Sequence, residues 1–113
     1  AHNNQQCAFA NTIEALSVGV SYLDATVCGM GRGAGNCTLE NLLGFLKNPK
    51  YQIHPALRFI EQHMLPLKAS GLKWGYDIPY MLTGLTNQHP RPAIAAIKEG
   101  DTNYTDFYQM LLD

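Results

Sequence analysis

The segment Tyr22-Leu-Asp-Ala-Thr-Val27, followed directly by Cys28-Gly-Met-Gly-Arg-Gly-Ala-Gly-Asn36, decides how the chain is interpreted. The first part predicts a strand, because β-branched, aromatic and small apolar residues are typical of buried strands. The second part predicts a loop, because four of its nine residues are glycine and glycine-rich turns let backbone approach a ligand closely. Thr38 can cap a helix directly after this loop.

Helices are predicted on both sides of this segment. A helical spacing of apolar residues covers 5–18 before the strand, and another follows Thr38. Beyond Asn48, Pro and Gly divide the chain into helices over 55–66, 78–85, 93–98 and 104–112, with a rigid extended link over 89–92. We therefore divide the chain into residues 1–48, which hold the strand and glycine loop, and a C-terminal helical region, 49–113.

Composition narrows the classes of function. The 113 residues are 46% hydrophobic with a formal net charge of -1, which predicts a globular domain and argues against nucleic-acid binding. No apolar stretch is long enough to span a membrane. The three cysteines show no Cys-x-x-Cys spacing, so a reduced, cytoplasmic setting without a zinc ribbon is expected.

The single predicted strand needs partners. A strand with two unpaired edges leaves amides unsatisfied at about 1–3 kcal/mol for each buried group. Helix, strand, loop and helix in succession are the repeat of an α/β protein. We therefore expect the chain to be a piece of a larger α/β fold, or its strand to pair with a second copy.

The glycine loop allows three interpretations. It can be a flexible linker, as glycine-rich stretches often are. Its residues 29–34 also fit the dinucleotide pattern G-x-G-x-x-G/A, but no acidic residue ends a second strand about 20 residues later. In the third interpretation, the chain is part of a barrel of parallel strands, and His2 and Asn36 lie on the same face of it, at the C-terminal ends of the strands. Imidazole nitrogen and amide oxygen at that position suit Mg²⁺ or Mn²⁺.

The order of motifs then indicates a family. Ala1-His-Asn-Asn-Gln5, and Gly29-Met-Gly-Arg-Gly-Ala-Gly-Asn36 with Glu40 four residues on, resemble segments of the family of 3-hydroxy-3-methylglutaryl-CoA lyase, isopropylmalate synthase and 4-hydroxy-2-oxovalerate aldolase (HMGL-like). The pattern is most similar to the last of these enzymes. The resemblance covers about the first 45 residues and implies the C-terminal part of a (β/α)8 TIM barrel, mainly α-helical in this chain with one strand over 22–27.

The resemblance also implies roles for individual residues. His2 matches a histidine of the metal pair, and Asn36 the asparagine near or on the metal. Gly31, Gly33 and Gly35 match the substrate-binding loop, in which Arg32 can meet a carboxylate or remain solvated. Tyr76 and Tyr80 are weak candidates for the tyrosine that completes an aldolase site, and packing in the core is their alternative.

The implied activity is that of a divalent-metal-dependent aldolase. Mn²⁺ or Mg²⁺ would act on a 2-oxo acid of the pyruvate-enolate type, with an aldehyde as the second product. No cysteine lies inside the loop, which favours an aldolase over a coenzyme A lyase. Alone, the segment is expected to be inactive, since the base and other metal ligands are not in it, and to form a homo-oligomer. A partner dehydrogenase is a further expectation, and a non-catalytic helical assembly module is the alternative function.

Overall fold

The computed structural model describes residues 1–113, and all of its regular secondary structure is helical. The helices are α1 (Ala8–Ser17), α2 (Leu39–Leu46), α3 (His54–Phe59), α4 (Leu65–Ala69), α5 (Ile78–Leu85), α6 (Arg91–Glu99) and α7 (Tyr104–Leu112). A short 3₁₀ turn covers Val27–Gly29, and a π-helical turn, Ile60–Met64, joins α3 to α4. None of these helices has the length and apolar character needed to cross a membrane.

The predicted strand over 22–27 is wrong, and the chain is therefore not α/β. Only isolated bridges form, an antiparallel one between His2 and Asn36 and a parallel one between Thr26 and Thr38. Thr26 donates its N–H to the Cys37 carbonyl at 2.9 Å and accepts from Leu39 N–H at 2.8 Å. A ladder needs a second extended segment alongside the first, and this chain offers a partner to Thr26 alone. Residues 22–27 therefore do not form a strand despite their strand propensity, because this chain provides no adjacent strand to pair with them.

The helix predictions are largely confirmed, with two differences. The helix expected to end at Pro66 continues to Ala69. Proline cannot donate to the carbonyl four residues back, and its ring crowds that carbonyl. The chain avoids the conflict by widening the turn directly before it, where Leu65 N–H donates to the Ile60 carbonyl five residues earlier. The predicted extended link over 89–92 is wrong at its end, since α6 already begins at Arg91 with Pro92 in its first turn.

Two small cores hold the structure together. The first lies under the glycine loop, where Ala8 of α1 and Leu42 of α2 pack with Cys37. The second joins the three C-terminal helices and includes Tyr80, Ala93 and Phe107. Ala34 of the glycine loop belongs to this second core, so the loop is fixed between the two halves of the chain.

The molecule is a slab with exposed apolar faces. Its extents are 50 × 38 × 15 Å and its radius of gyration is 16.0 Å, against about 13 Å for a compact domain of this size. Only 16 of 113 residues are buried. Tyr22 and Val18 are 89% and 73% exposed, and Phe45 and Leu65 more than half. Apolar surface of this extent is typical of a segment that packs against further protein.

Candidate metal centre

The glycine loop doubles back on itself and needs its glycines to do so. Gly29, Gly33 and Gly35 have φ of 65°, 66° and 78°, in the left-handed region that side chains rarely adopt. Asn36 N–H donates to the Gly29 carbonyl at 2.9 Å. A Cβ on Gly35 would overlap that same carbonyl oxygen. Two backbone segments therefore touch where no side chain fits.

The turn brings the two predicted metal ligands together. Asn3 N–H donates to the Gly35 carbonyl at 3.0 Å, and Cys37 N–H donates to the Ala1 carbonyl at 3.2 Å. These bonds align His2 with Asn36 across the antiparallel bridge. The ring nitrogen Nδ1 of His2 lies 3.0 Å from Oδ1 of Asn36. Two residues 34 positions apart in sequence thus bring together one nitrogen and one oxygen, the candidate metal-ligand atoms.

The loop also fixes the orientation of the Asn36 amide. Its Nδ2 donates to the Met30 carbonyl at 3.2 Å, so Oδ1 is the atom turned toward His2. Gly31 makes room for this arrangement, because a Cβ there would collide with Nδ2 of Asn36. Gly31 is therefore required for space, whereas Gly35 is required for both space and conformation.

The His2–Asn36 pair fits a divalent cation as two of its ligands. Mg²⁺ binds ligands octahedrally at about 2.1 Å, which puts adjacent ligand atoms about 3.0 Å apart. The observed Nδ1 to Oδ1 distance of 3.0 Å is compatible with that edge, and it is also the ordinary length of an N–H···O hydrogen bond. No group of three or more His, Cys, Asp or Glu side chains in the structure could hold a metal. A complete site thus needs ligands other than those this chain brings together.

The tail after α4 clamps the loop from the other side. Gly75 N–H donates to the Gly33 carbonyl at 3.0 Å, and the Trp74 indole N–H donates to the Cys28 carbonyl at 3.0 Å. Cys28 N–H in turn donates to Oε2 of Glu40 at 3.0 Å. Sequence reasoning missed Trp74 and Glu40 as anchors of the loop. For Glu40, the only signal in the sequence was its position four residues after Asn36 in the family motif. Nothing in the sequence indicated that Trp74 contacts Cys28.

The two candidate tyrosines have different surroundings. Tyr80 is 7% exposed and lies against Gly33, where an added Cβ would come within 3.1 Å of its ring. Tyr76 is 38% exposed, and its hydroxyl donates to Sδ of Met81 at 3.6 Å. Tyr76 and Asn36 line one small cavity of about 240 Å³. The structure therefore brings Tyr76 to the candidate site and puts Tyr80 in the core.

Two groups behind the loop have altered acidity. Burial, reinforced by the negative charge of Asp77, raises the pKa of Tyr80. Burial and then the Glu40 carboxylate raise the pKa of Cys28, and Lys68 opposes this effect. Cys28 is thus a neutral thiol near pH 7, which is consistent with a packing role rather than a nucleophilic one. Arg32 lies exposed on the loop.

The raised pKa of Tyr80 predicts how the free energy of unfolding depends on pH in the alkaline range. Its folded pKa lies above the unfolded value of about 10, so the unfolded chain loses this proton first. The free energy of unfolding should therefore fall as pH rises above about 10. Urea unfolding followed by circular dichroism between pH 8 and 11 measures the slope. Tyr80→Phe should flatten it relative to Tyr22→Phe, since Tyr22 is 89% exposed, and equal slopes in both variants would contradict the assignment.

Gly31→Ala should disturb the ligand pair without unfolding the chain. The new methyl group would displace the Asn36 amide and break its bond to Met30, at about 1 kcal/mol of stability. The ring signals of His2 in ¹⁵N-resolved NMR should shift as its contact with Asn36 is lost. Gly44→Ala is the control, because a Cβ at Gly44 in α2 meets only Ile53 at 3.5 Å. Unchanged His2 signals in Gly31→Ala would show that the loop does not position the pair.

Comparisons with known proteins show to which family the chain is related. The sequence model of the HMGL-like family matches residues 1–64. An oxaloacetate decarboxylase of Mycobacterium tuberculosis is 52% identical over 46 residues, covering 41% of this chain and 14% of that protein. A 4-hydroxy-2-oxovalerate aldolase of Thermus thermophilus is 41% identical over 71 residues, covering 59% and 20%. The chain thus spans a fifth or less of these two relatives.

A solved structure shares the helical arrangement as well. The crystal structure of the N-terminal domain of a putative aldolase from Bacteroides vulgatus superposes with a TM-score of 0.73 at 34% identity. The superposition covers 86% of this chain and 33% of that one, so it includes part of the region beyond residue 64. The family match covers more than half of the 113 residues, and the chain therefore belongs to the HMGL-like family.

Proposed function

We propose that this chain supplies part of the active site of a divalent-metal-dependent aldolase that breaks or forms a carbon–carbon bond next to a 2-oxo acid. The observation that carries the proposal is the His2–Asn36 pair, 3.0 Å apart and fixed by the glycine loop. The names of the two curated relatives support it, since an oxaloacetate decarboxylase and a 4-hydroxy-2-oxovalerate aldolase both cleave such a bond in a 2-oxo acid.

The residues present suggest a division of labour. His2 and Asn36 would hold Mn²⁺ or Mg²⁺, which supplies Lewis-acid stabilisation of the pyruvate enolate when bound. Gly31, Gly33 and Gly35 would let the loop backbone approach the substrate, and Arg32 on the same loop would meet its carboxylate. Tyr76 lines the cavity beside Asn36 and can hold a hydrogen bond to the aldehyde portion.

The segment alone should be inactive. Two ligands without a general base cannot complete the site, and no further cluster of ligand side chains exists in the structure. The test is therefore a chimera, in which this chain replaces the aligned segment of the Thermus thermophilus 4-hydroxy-2-oxovalerate aldolase. Release of pyruvate from 4-hydroxy-2-oxovalerate, lost with EDTA and restored by Mn²⁺, is expected. A folded chimera without metal-dependent release would contradict the proposal.

The exposed apolar faces favour one alternative, a helical assembly module without catalysis. Large apolar side chains such as Val18, Tyr22 and Phe45 are exposed on a slab 15 Å thick. Self-association of the isolated chain should follow, measured by size-exclusion chromatography with light scattering. A compact monomer would contradict it. The chimera separates the two functions, since a module that only assembles restores no pyruvate release.

The remaining parts of the proposal concern setting and partners. We propose a homo-oligomer in which these faces are covered, and a dehydrogenase partner that consumes the aldehyde product. A cytoplasmic location is proposed for the same protein, supported by three free thiols at Cys7, Cys28 and Cys37. Co-purification of the full-length protein with an aldehyde-oxidising activity would test the dehydrogenase partner, and its absence would count against it.

A further inference from the structure

A second cavity is lined in part by Trp74 and Gly75, the residues that bond to the glycine loop. This lysine groove has a volume of about 600 Å³. It runs from the end of α4, past Trp74 and Gly75, to the exposed side of α6. Its lining includes Lys68, Lys73 and Lys98. None of these lysines has a role in the proposed aldolase site.

The charge of the groove is opposite to that of the whole chain. The chain has a formal net charge of -1, yet the groove is lined by three lysines and a single acidic residue, Asp77, and all three lysine side chains are exposed to solvent. The Asp77 carboxylate already accepts the N–H of Ile78 at 2.7 Å as the cap of α5. Positive charge concentrated in a concave site attracts anions, because the low-dielectric walls focus the field.

The kind of positive charge selects the kind of anion. All cations in the groove are lysines, which act as compact point charges, whereas arginine supplies the planar fork that matches a carboxylate. A phosphoryl group carries about -1.5 to -2 charges on a compact set of oxygens near pH 7. Three separate ammonium groups therefore suit a phosphate monoester better than a single carboxylate.

The floor of the groove suits a carbon body attached to that phosphate. Trp74 is half-buried and holds Lys68 over its ring, with Nζ 5.0 Å from the ring centroid. Ile94 and Ile97 of α6 form the facing wall. Both isoleucines are half-buried and offer apolar contact next to the charges, as small-molecule sites commonly do.

We infer that the lysine groove is a binding site for a small phosphate monoester with an apolar or aromatic body, separate from the His2–Asn36 pair. Tyr76 lines both the groove and the cavity beside Asn36, so the bound ester would lie next to the candidate metal centre. The inference needs no metal and does not depend on the proposed aldolase activity.

Calorimetric titration of the 113-residue chain with phenyl phosphate tests the inference. Phenyl phosphate should bind, and its affinity should fall as salt is raised. The double variant Lys73→Gln with Lys98→Gln should weaken binding about tenfold or more. The control is Lys47→Gln with Lys50→Gln, which removes the same charge from exposed lysines outside the groove and should leave the affinity within about twofold.

Two comparators sharpen the result. Benzoate and inorganic phosphate should each bind more weakly than phenyl phosphate, because benzoate lacks the phosphoryl charge and inorganic phosphate lacks the apolar body. Trp74 is the only tryptophan, so a shift of its indole N–H signal locates the ligand independently of the variants. Absence of phenyl phosphate binding at millimolar concentration, equal losses in the two double variants, or benzoate binding as tightly as phenyl phosphate would each overturn the inference.

Discussion

His2→Ala is expected to reduce Mn²⁺-dependent pyruvate release by the chimera by about 100-fold or more. The imidazole is one of the two proposed ligands, and its Nδ1 lies 3.0 Å from Oδ1 of Asn36, the other. Even the loss of a residue that merely orients a metal ligand costs about 10–100-fold in metal affinity or activity. Asn36→Ala should fall within that range, because it removes either a ligand or the partner that orients His2.

The matched control for this prediction is His63→Ala. His63 is an exposed histidine in the π-helical turn, with its ring centroid 4.9 Å from that of Phe59 and tilted 45° to it. Its removal should leave pyruvate release within about twofold of the parent chimera. Equal activity in His2→Ala and His63→Ala, with both proteins folded by circular dichroism, would remove His2 from the metal site.

Gly35→Ala is expected to have the largest effect on stability. A Cβ there would overlap the carbonyl oxygen of Gly29, a backbone atom that cannot rotate away. The residue also has φ of 78°, which costs about 1–2 kcal/mol for any residue with a side chain. The two effects together should lower the free energy of unfolding by about 3 kcal/mol or more.

Gly100→Ala separates conformation from space. Gly100 has a similar φ of 71° at the end of α6 but meets nothing within 4 Å. It should cost about 1 kcal/mol, the conformational part alone. Urea unfolding of both variants, compared by their midpoints at constant slope, gives the difference. A loss in Gly35→Ala no larger than in Gly100→Ala would show that the loop is not closed against Gly29.

The helices were predictable because their signals are local. The helical spacing of Leu39, Leu42 and Leu46 and the Pro and Gly positions that bound 78–85 act within a few residues, and the structure has helices at both places. The strand over 22–27 failed for a reason that is not local. A strand is stabilised by pairing, and these residues find a partner only at Thr26.

The candidate site shows the same division. The loop and its glycines follow from composition, and the pairing of His2 with Asn36 followed from their ligand chemistry and from the family resemblance. Apart from that pair, the sequence could not indicate contacts across long separations. The Trp74 bond to Cys28 joins residues 46 positions apart, and the difference between Tyr76 and Tyr80 depends on which ring the fold buries. Such facts arise only from packing.

Our central proposal is that His2 and Asn36 hold a divalent cation. Electron paramagnetic resonance of Mn²⁺ tests this directly, since the six-line signal of free Mn²⁺ disappears when the ion binds. In the chimera we expect one bound Mn²⁺ per chain, with affinity weakened about tenfold or more in His2→Ala and in Asn36→Ala, and unchanged in His63→Ala. Equal Mn²⁺ affinity in all four proteins would contradict the account.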